Sequence, residues 1–147
     1  MAFKFRYEAL LAYRGHTKEK AEIALAREQQ KLNKAVELLK HYEHSLQQAK
    51  RSFEIDVASG MASEELKSHS EYIAGLGKRV EVQIRNVAAC EKAVRKKTDE
   101  LLVKTKEYKV IEKLREKDFQ KWKYRQHQEE QKWMDEVGVT RHGKVYF

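Results

Sequence analysis

The 147-residue sequence has no proline, six glycines and a single cysteine. Without proline nothing forces a break in a helix, and with so little glycine few positions can take the left-handed backbone of tight turns. These absences exclude a turn-rich globular domain and favour long uninterrupted helices. Cys90 has no second thiol with which to close an intrachain disulfide, and inside a helical pattern it reads as a small seam or flank residue. No stretch approaches the roughly 20 consecutive apolar residues that cross a bilayer. The opening Met-Ala-Phe-Lys-Phe-Arg lacks the apolar core of a signal peptide, so a soluble chain made in the cytosol is expected.

Residues that carry chemistry are also missing. The histidines are His16, His41, His44, His69, His127 and His142, and none forms a His-x-x-x-His pair. His41 and His44, three apart, share a helix face, a geometry capable of weak metal binding. No carboxylate or thiol completes that site, so a solvated face is the favoured reading and no metal or cofactor is expected. There is no glycine-rich phosphate loop and no nucleophile beside a base, and two paired helices enclose no cavity that could exclude water from a reaction. No catalytic residue is assigned.

What is present is charge, at 37% of residues, beside 41% apolar residues and a mean hydropathy of -0.85. That combination implies a thin apolar stripe along helices in place of a thick core. The net charge of +8 is localised: residues 92–125 hold 13 Lys/Arg against 6 Asp/Glu, a net of +7. Lys92–Arg125 is either a solvated face interleaved with acids as i,i+4 pairs, or a docking surface. If it docks, an acidic protein is favoured over nucleic acid, because no recognised nucleic-acid-binding fold accompanies it.

From Tyr7 to Phe53 apolar residues recur at alternating steps of four and three, the pattern of a seam against a partner helix. The clearest run is Leu32, Ala35, Leu39, Tyr42, Leu46, Ala49 and Phe53; Leu25, Ala21, Leu11 and Tyr7 carry the register backwards. Arg14, Lys18 and Glu28 fall on the same seam, where looser packing is expected. The pattern stops at Val57-Ala58-Ser59-Gly60-Met61-Ala62-Ser63, with Gly60 placed to take a left-handed conformation and Ser63 to cap the next helix. A second seam runs through Ile73, Leu76, Val80, Gln83, Val87, Cys90, Val94, Leu101, Tyr108 and Ile111.

A turn this short makes the helices antiparallel. The expected fold is all-α: two long helices in an antiparallel coiled-coil hairpin, the second longer than the first. Helix one is placed at about 5–58, the turn at 59–62 and helix two at about 63–137; Gly138 and Gly143 are expected to end it and residues 138–147 to fray. One hairpin unit then covers the chain. Residues 1–13 would lie beside residues near 108–118, leaving Phe119 to Glu136 projecting with Trp122, Tyr124, Trp133 and Met134. Unpaired aromatics at helical spacing are an expected partner site.

Three segments resemble the FliJ family of flagellar export proteins. They are Phe3-Lys4-Phe5-Arg6-Tyr7-Glu8-Ala9-Leu10-Leu11-Ala12-Tyr13-Arg14, the hairpin Ser59-Gly60-Met61-Ala62-Ser63 followed by His69, Tyr72, Ile73 and Leu76, and Glu112-Lys113-Leu114-Arg115-Glu116-Lys117 with the later Glu130-Gln131-Lys132-Trp133-Met134-Asp135-Glu136. The resemblance implies a non-enzymatic stalk whose paired ends enter the hexameric flagellar export ATPase and promote its assembly and turnover. It also implies contact with the cytoplasmic domain of the export-gate membrane protein and with export chaperones. The location so implied is the bacterial cytoplasm, peripheral to the inner membrane at the flagellar base. At the ATPase end the resemblance places Phe3, Phe5, Arg6, Leu10, Arg14, Gln131, Asp135, Glu136 and Arg141; at the gate it places Tyr72 and Leu76. Leu10 is equally placed to close the helix pair, and Leu76 falls on the seam. Trp133 and the tail His142-Gly143-Lys144-Val145-Tyr146-Phe147 match no family feature.

Competing readings are the stalk of a virulence-type secretion ATPase or a generic coiled-coil adaptor, a basic nucleic-acid or anionic-membrane binder, and a holdase with exposed apolar ends. The free chain is expected to be a monomer, and no nucleic acid is expected as a partner.

Overall fold

The computed structural model describes residues 2–145, with side chains described for residues 2–139. Two helices account for it: α1, Glu8–Ala58, of 51 residues, and α2, Ser63–Val145, of 83 residues. Among the described residues there is no strand, and the helices pair as the antiparallel hairpin that the two seams imply. Packing resolves into two compact units: a turn unit, Lys20–Leu102, and a terminal unit, Met1–Glu19 with Val103–Phe147.

The turn unit is built on the three-four stripe. Every α1 seam position named from the sequence between Ala21 and Phe53 is half-buried, Glu28 included; across from them Leu76, Gln83 and Val87 are buried. Two side-chain contacts fix the antiparallel register there: Gln83 Nε2 donates to the Ala35 carbonyl at 2.9 Å, and His69 Nε2 lies 3.8 Å from Asp56 Oδ2. α1 ends where Gly60 takes φ 77°, letting the Met61 N–H reach the Asp56 carbonyl at 3.1 Å and the Gly60 N–H reach the Val57 carbonyl at 3.2 Å. That crossed pair satisfies carbonyls the helix would otherwise leave bare. Ser63 is the first helical residue of α2, not its cap: the Ala62 carbonyl accepts the first-turn bond from the Leu66 N–H. Glu64 and Glu65 then place negative charge at the positive end of α2.

In the terminal unit three features differ from expectation. α1 starts at Glu8, not near residue 5, and the preceding segment is a non-helical arm followed by a turn at Arg6 and Tyr7. Non-helical chain spans up to roughly 3.3 Å per residue where a helix gains 1.5 Å, so the arm reaches farther along α2 than a helix would. It brings Phe3 onto Phe119 and Trp122, with ring centroids 5.3 and 5.9 Å apart, so these two do not project unpaired. α2 also runs through Gly138 and Gly143 to Val145. A Cβ built on Gly138 meets nothing within 4 Å, and an isolated glycine weakens a helix without stopping it when no proline follows.

Candidate functional site

The terminal unit gathers five of the residues assigned to the ATPase end, and the packing decides what each presents. Phe3 is half-buried between α2 rings, with the Arg115 guanidinium carbon 5.6 Å from its centroid. Phe5 is 8% exposed and meets Tyr7 edge-on at 5.9 Å, so its side chain offers a partner almost no surface. Arg6 is exposed over the Tyr7 ring at 5.5 Å. Leu10 is half-buried, as a residue closing the helix pair would be. Arg14 crosses the seam and donates from Nη1 to the Glu107 carbonyl at 2.7 Å, a charge-assisted bond that satisfies its cation inside the pair.

The other polar seam positions are accommodated locally. Lys18 holds its ammonium 5.1 Å from the Tyr108 centroid, and Gly15 lies beside the same ring, where a Cβ would make an ordinary van der Waals contact with Tyr108 Cε2 at 3.5 Å. Glu8 accepts from Arg115 Nε at 3.2 Å and ties the first turn of α1 to α2.

The later ATPase-end residues do not join this cluster. Gln131, Asp135 and Glu136 are exposed on α2, and Gln131 lies nine residues past Trp122, roughly 13 Å along a helix. The Arg141 side chain lies outside the described residues. Between them stand two exposed apolar residues that the family-based assignment passed over, Trp133 at 64% and Met134 at 62% exposure. Trp133 sits eleven residues after Trp122, close to three full turns, so it repeats the face that carries the arm. The spacing of aromatics marks Trp133 and Met134 as part of an expected partner site, which the resemblance alone does not.

In the turn unit, the two residues assigned to the gate part company. Tyr72 is 59% exposed, whereas Leu76, at 4%, is the least exposed of the buried apolar side chains and belongs to the seam.

The basic stretch is less neutralised than interleaved pairs would make it. Its ion pairs among the described residues are Lys97–Glu100 at 3.2 Å and Lys104–Glu107 at 3.8 Å, both i,i+3, and Arg115–Glu8 between helices. No i,i+4 ion pair forms within it among the described residues. No group of three metal-ligating side chains occurs among the described residues, and no helix there is long and apolar enough to cross a membrane.

An arm-and-helix terminal unit with an aromatic-bearing extension can be compared with known proteins. The family model of the flagellar FliJ protein matches residues 3–144. The chain belongs to the FliJ family. A solved structure described as a candidate YscO homolog from Chlamydia trachomatis is similar to this FliJ-family chain with a TM-score of 0.62 and 19% identity, covering 96% of each chain. At that identity the likeness concerns the fold. No curated protein matches the sequence.

Proposed function

We propose that this FliJ-family chain is a non-catalytic stalk of flagellar type III export, engaging the hexameric export ATPase through its terminal unit and promoting ATPase assembly and turnover. The observation that carries the reading is the continuation of the arm-binding face of α2 into exposed Trp133, with Met134 beside it. Large apolar side chains on a stiff helix are suited to anchoring in a partner's pocket, because aromatics contribute heavily to interface energy. Gln131 and Asp135 then form a polar surround, Arg6 offers a separate polar contact beside the arm, and Phe3, Phe5 and Arg14 act by holding the arm and α1 in place. Exposed Tyr72 is the contact assigned to the cytoplasmic domain of the export gate, and Leu76 supports it from within the seam. Export chaperones are the third class of partner, and the chain works in the cytoplasm, peripheral to the membrane.

The test is ATP hydrolysis by the purified export ATPase of the same cell, titrated with the full chain and with a chain ending at Arg125. That truncation keeps the Phe3, Phe119 and Trp122 cluster and removes Trp133 and Met134. Stimulation by the full chain only supports the reading; equal stimulation by both moves the contact off the extension, and none from the folded full chain sinks the stalk assignment.

A further inference from the structure

The buried side chains of the turn unit are apolar with one exception. Gln83 is 6% exposed and engaged at both ends of its amide: Nε2 donates to the Ala35 carbonyl at 2.9 Å, and Oε1 accepts from Asn86 Nδ2 at 3.2 Å. The carbonyl it reaches lies in the middle of α1, where the helix ladder already uses it, so the amide takes a second lone pair. Residue 35 is alanine, so α1 contributes only a methyl group at that seam position. One heptad to either side on the same line of α1 stand the larger side chains of Glu28 and Tyr42.

We propose that Gln83 and Ala35 form a pairing-specificity device that selects α1 as the partner of α2 in this register and disfavours pairing of α2 with a second copy of itself. Leu76 and Val87, on either side of Gln83 along the seam, would bury as readily against any apolar stripe and so favour association without choosing a partner. A buried amide does choose, because a pairing that offers no acceptor leaves its donors unsatisfied, and single polar seam residues set register and oligomeric state in this way. The short turn restrains slippage within one chain but does nothing to stop two copies of α2 from meeting.

Counted along the antiparallel pair, Gln83–Ala35 and His69–Asp56 bracket the position opposite Cys90, the single native thiol, between residues 28 and 35, and Leu32 is the α1 seam residue between them. The experiment uses the full chain, with Leu32→Cys as a reporter, with and without Gln83→Leu. Disulfide products are read after mild oxidation, and mass is followed against concentration by sedimentation. With Gln83 present, oxidation should close the intrachain 32–90 disulfide and the mass should stay monomeric. Gln83→Leu should lower the intrachain yield severalfold, give interchain Cys90 products and move the mass towards twice the monomer at high concentration, with helix content unchanged. Gln83→Met, similar in length but lacking the donor, should repeat the result if leucine repacks the seam badly. A Gln83→Leu chain that stays monomeric at every concentration and closes the same disulfide in the same yield overturns the proposal, as does an unsubstituted chain that is already dimeric.

Discussion

Replacing Phe3 with alanine tests the docking of the arm directly. The ring makes two aromatic contacts, to Phe119 at 5.3 Å and Trp122 at 5.9 Å, and carries the Arg115 guanidinium 5.6 Å from its centroid. Aromatic pairs contribute about 0.5–1.5 kcal/mol each beyond burial, and an exposed cation–π contact about 0.5–1 kcal/mol. Half-burial of a phenylalanine adds roughly 1 kcal/mol, half the value for a fully buried large apolar side chain. These contributions overlap, giving a net of about 2–3 kcal/mol, or roughly a 30- to 150-fold shift in the ratio of docked to undocked arm. The loss is local, because the arm precedes α1 and the seam does not depend on it, so the melting temperature should move little. In a Trp133→Phe background, where Trp122 is the only indole, Phe3→Ala should shift emission to the red and raise acrylamide quenching. Unchanged emission and quenching would show that α2 alone shields Trp122, and the arm would then have no part in the cluster.

The remaining predictions concern backbone and seam. Gly60→Ala forces a Cβ into φ 77° and should cost about 1 kcal/mol, read as a lower chemical-denaturation midpoint; no change would mean the turn relaxes freely. Gly75→Ala and Gly77→Ala meet nothing within 4 Å, and each should stabilise by about 0.5–1 kcal/mol through helix propensity, so a drop in melting temperature would contradict the open space found there. Leu76→Ala should destabilise by about 2–3 kcal/mol, whereas exposed Tyr72→Ala should stay within about 0.5 kcal/mol. If the two cost the same in thermal melts, the seam assignment of Leu76 is wrong.

Much of this was legible in the sequence because a two-helix pair asks only for a stripe. Steps of three and four from Leu11 to Phe53 and from Ile73 to Ile111 name the residues that the structure buries or half-buries, and even charged Arg14, Lys18 and Glu28 obey the register, but Tyr7, where the stripe was expected to begin, precedes α1 and is exposed. The arm was not legible: Phe3-Lys4-Phe5-Arg6-Tyr7 has residues a helix would accept, and the packing of Phe3 on Phe119 and Trp122 that accompanies its non-helical form is a long-range contact. The end of α2 was misjudged for the opposite reason, since Gly138 and Gly143 look like terminators yet each is a weak one. Gln83 could be placed on the seam, but its acceptor could not be named, because the residue of α1 opposite it depends on the geometry of the turn. For the candidate site, sequence similarity named residues at the chain ends without separating buried Phe5 from exposed Asp135, whereas near the turn the seam register did set Leu76, which is buried, apart from Tyr72, which is exposed.

Among the described residues no side chain falls below 2% exposure, and the buried set is Phe5, Leu76, Gln83, Val87 and Ile111. A structure so thin spreads its stability over many modest contacts, and few positions can veto a substitution. Lineages carrying it are free to drift: most apolar residues can be exchanged one at a time provided the stripe survives. The positions expected to drift slowly are those where one chemical group has no substitute, such as the glycine of the turn, the amide of Gln83 and the aromatic anchors of the terminal unit. Selection on such a chain acts mainly on its ends, its turn and the one buried amide, while the remaining length is held by little more than periodicity.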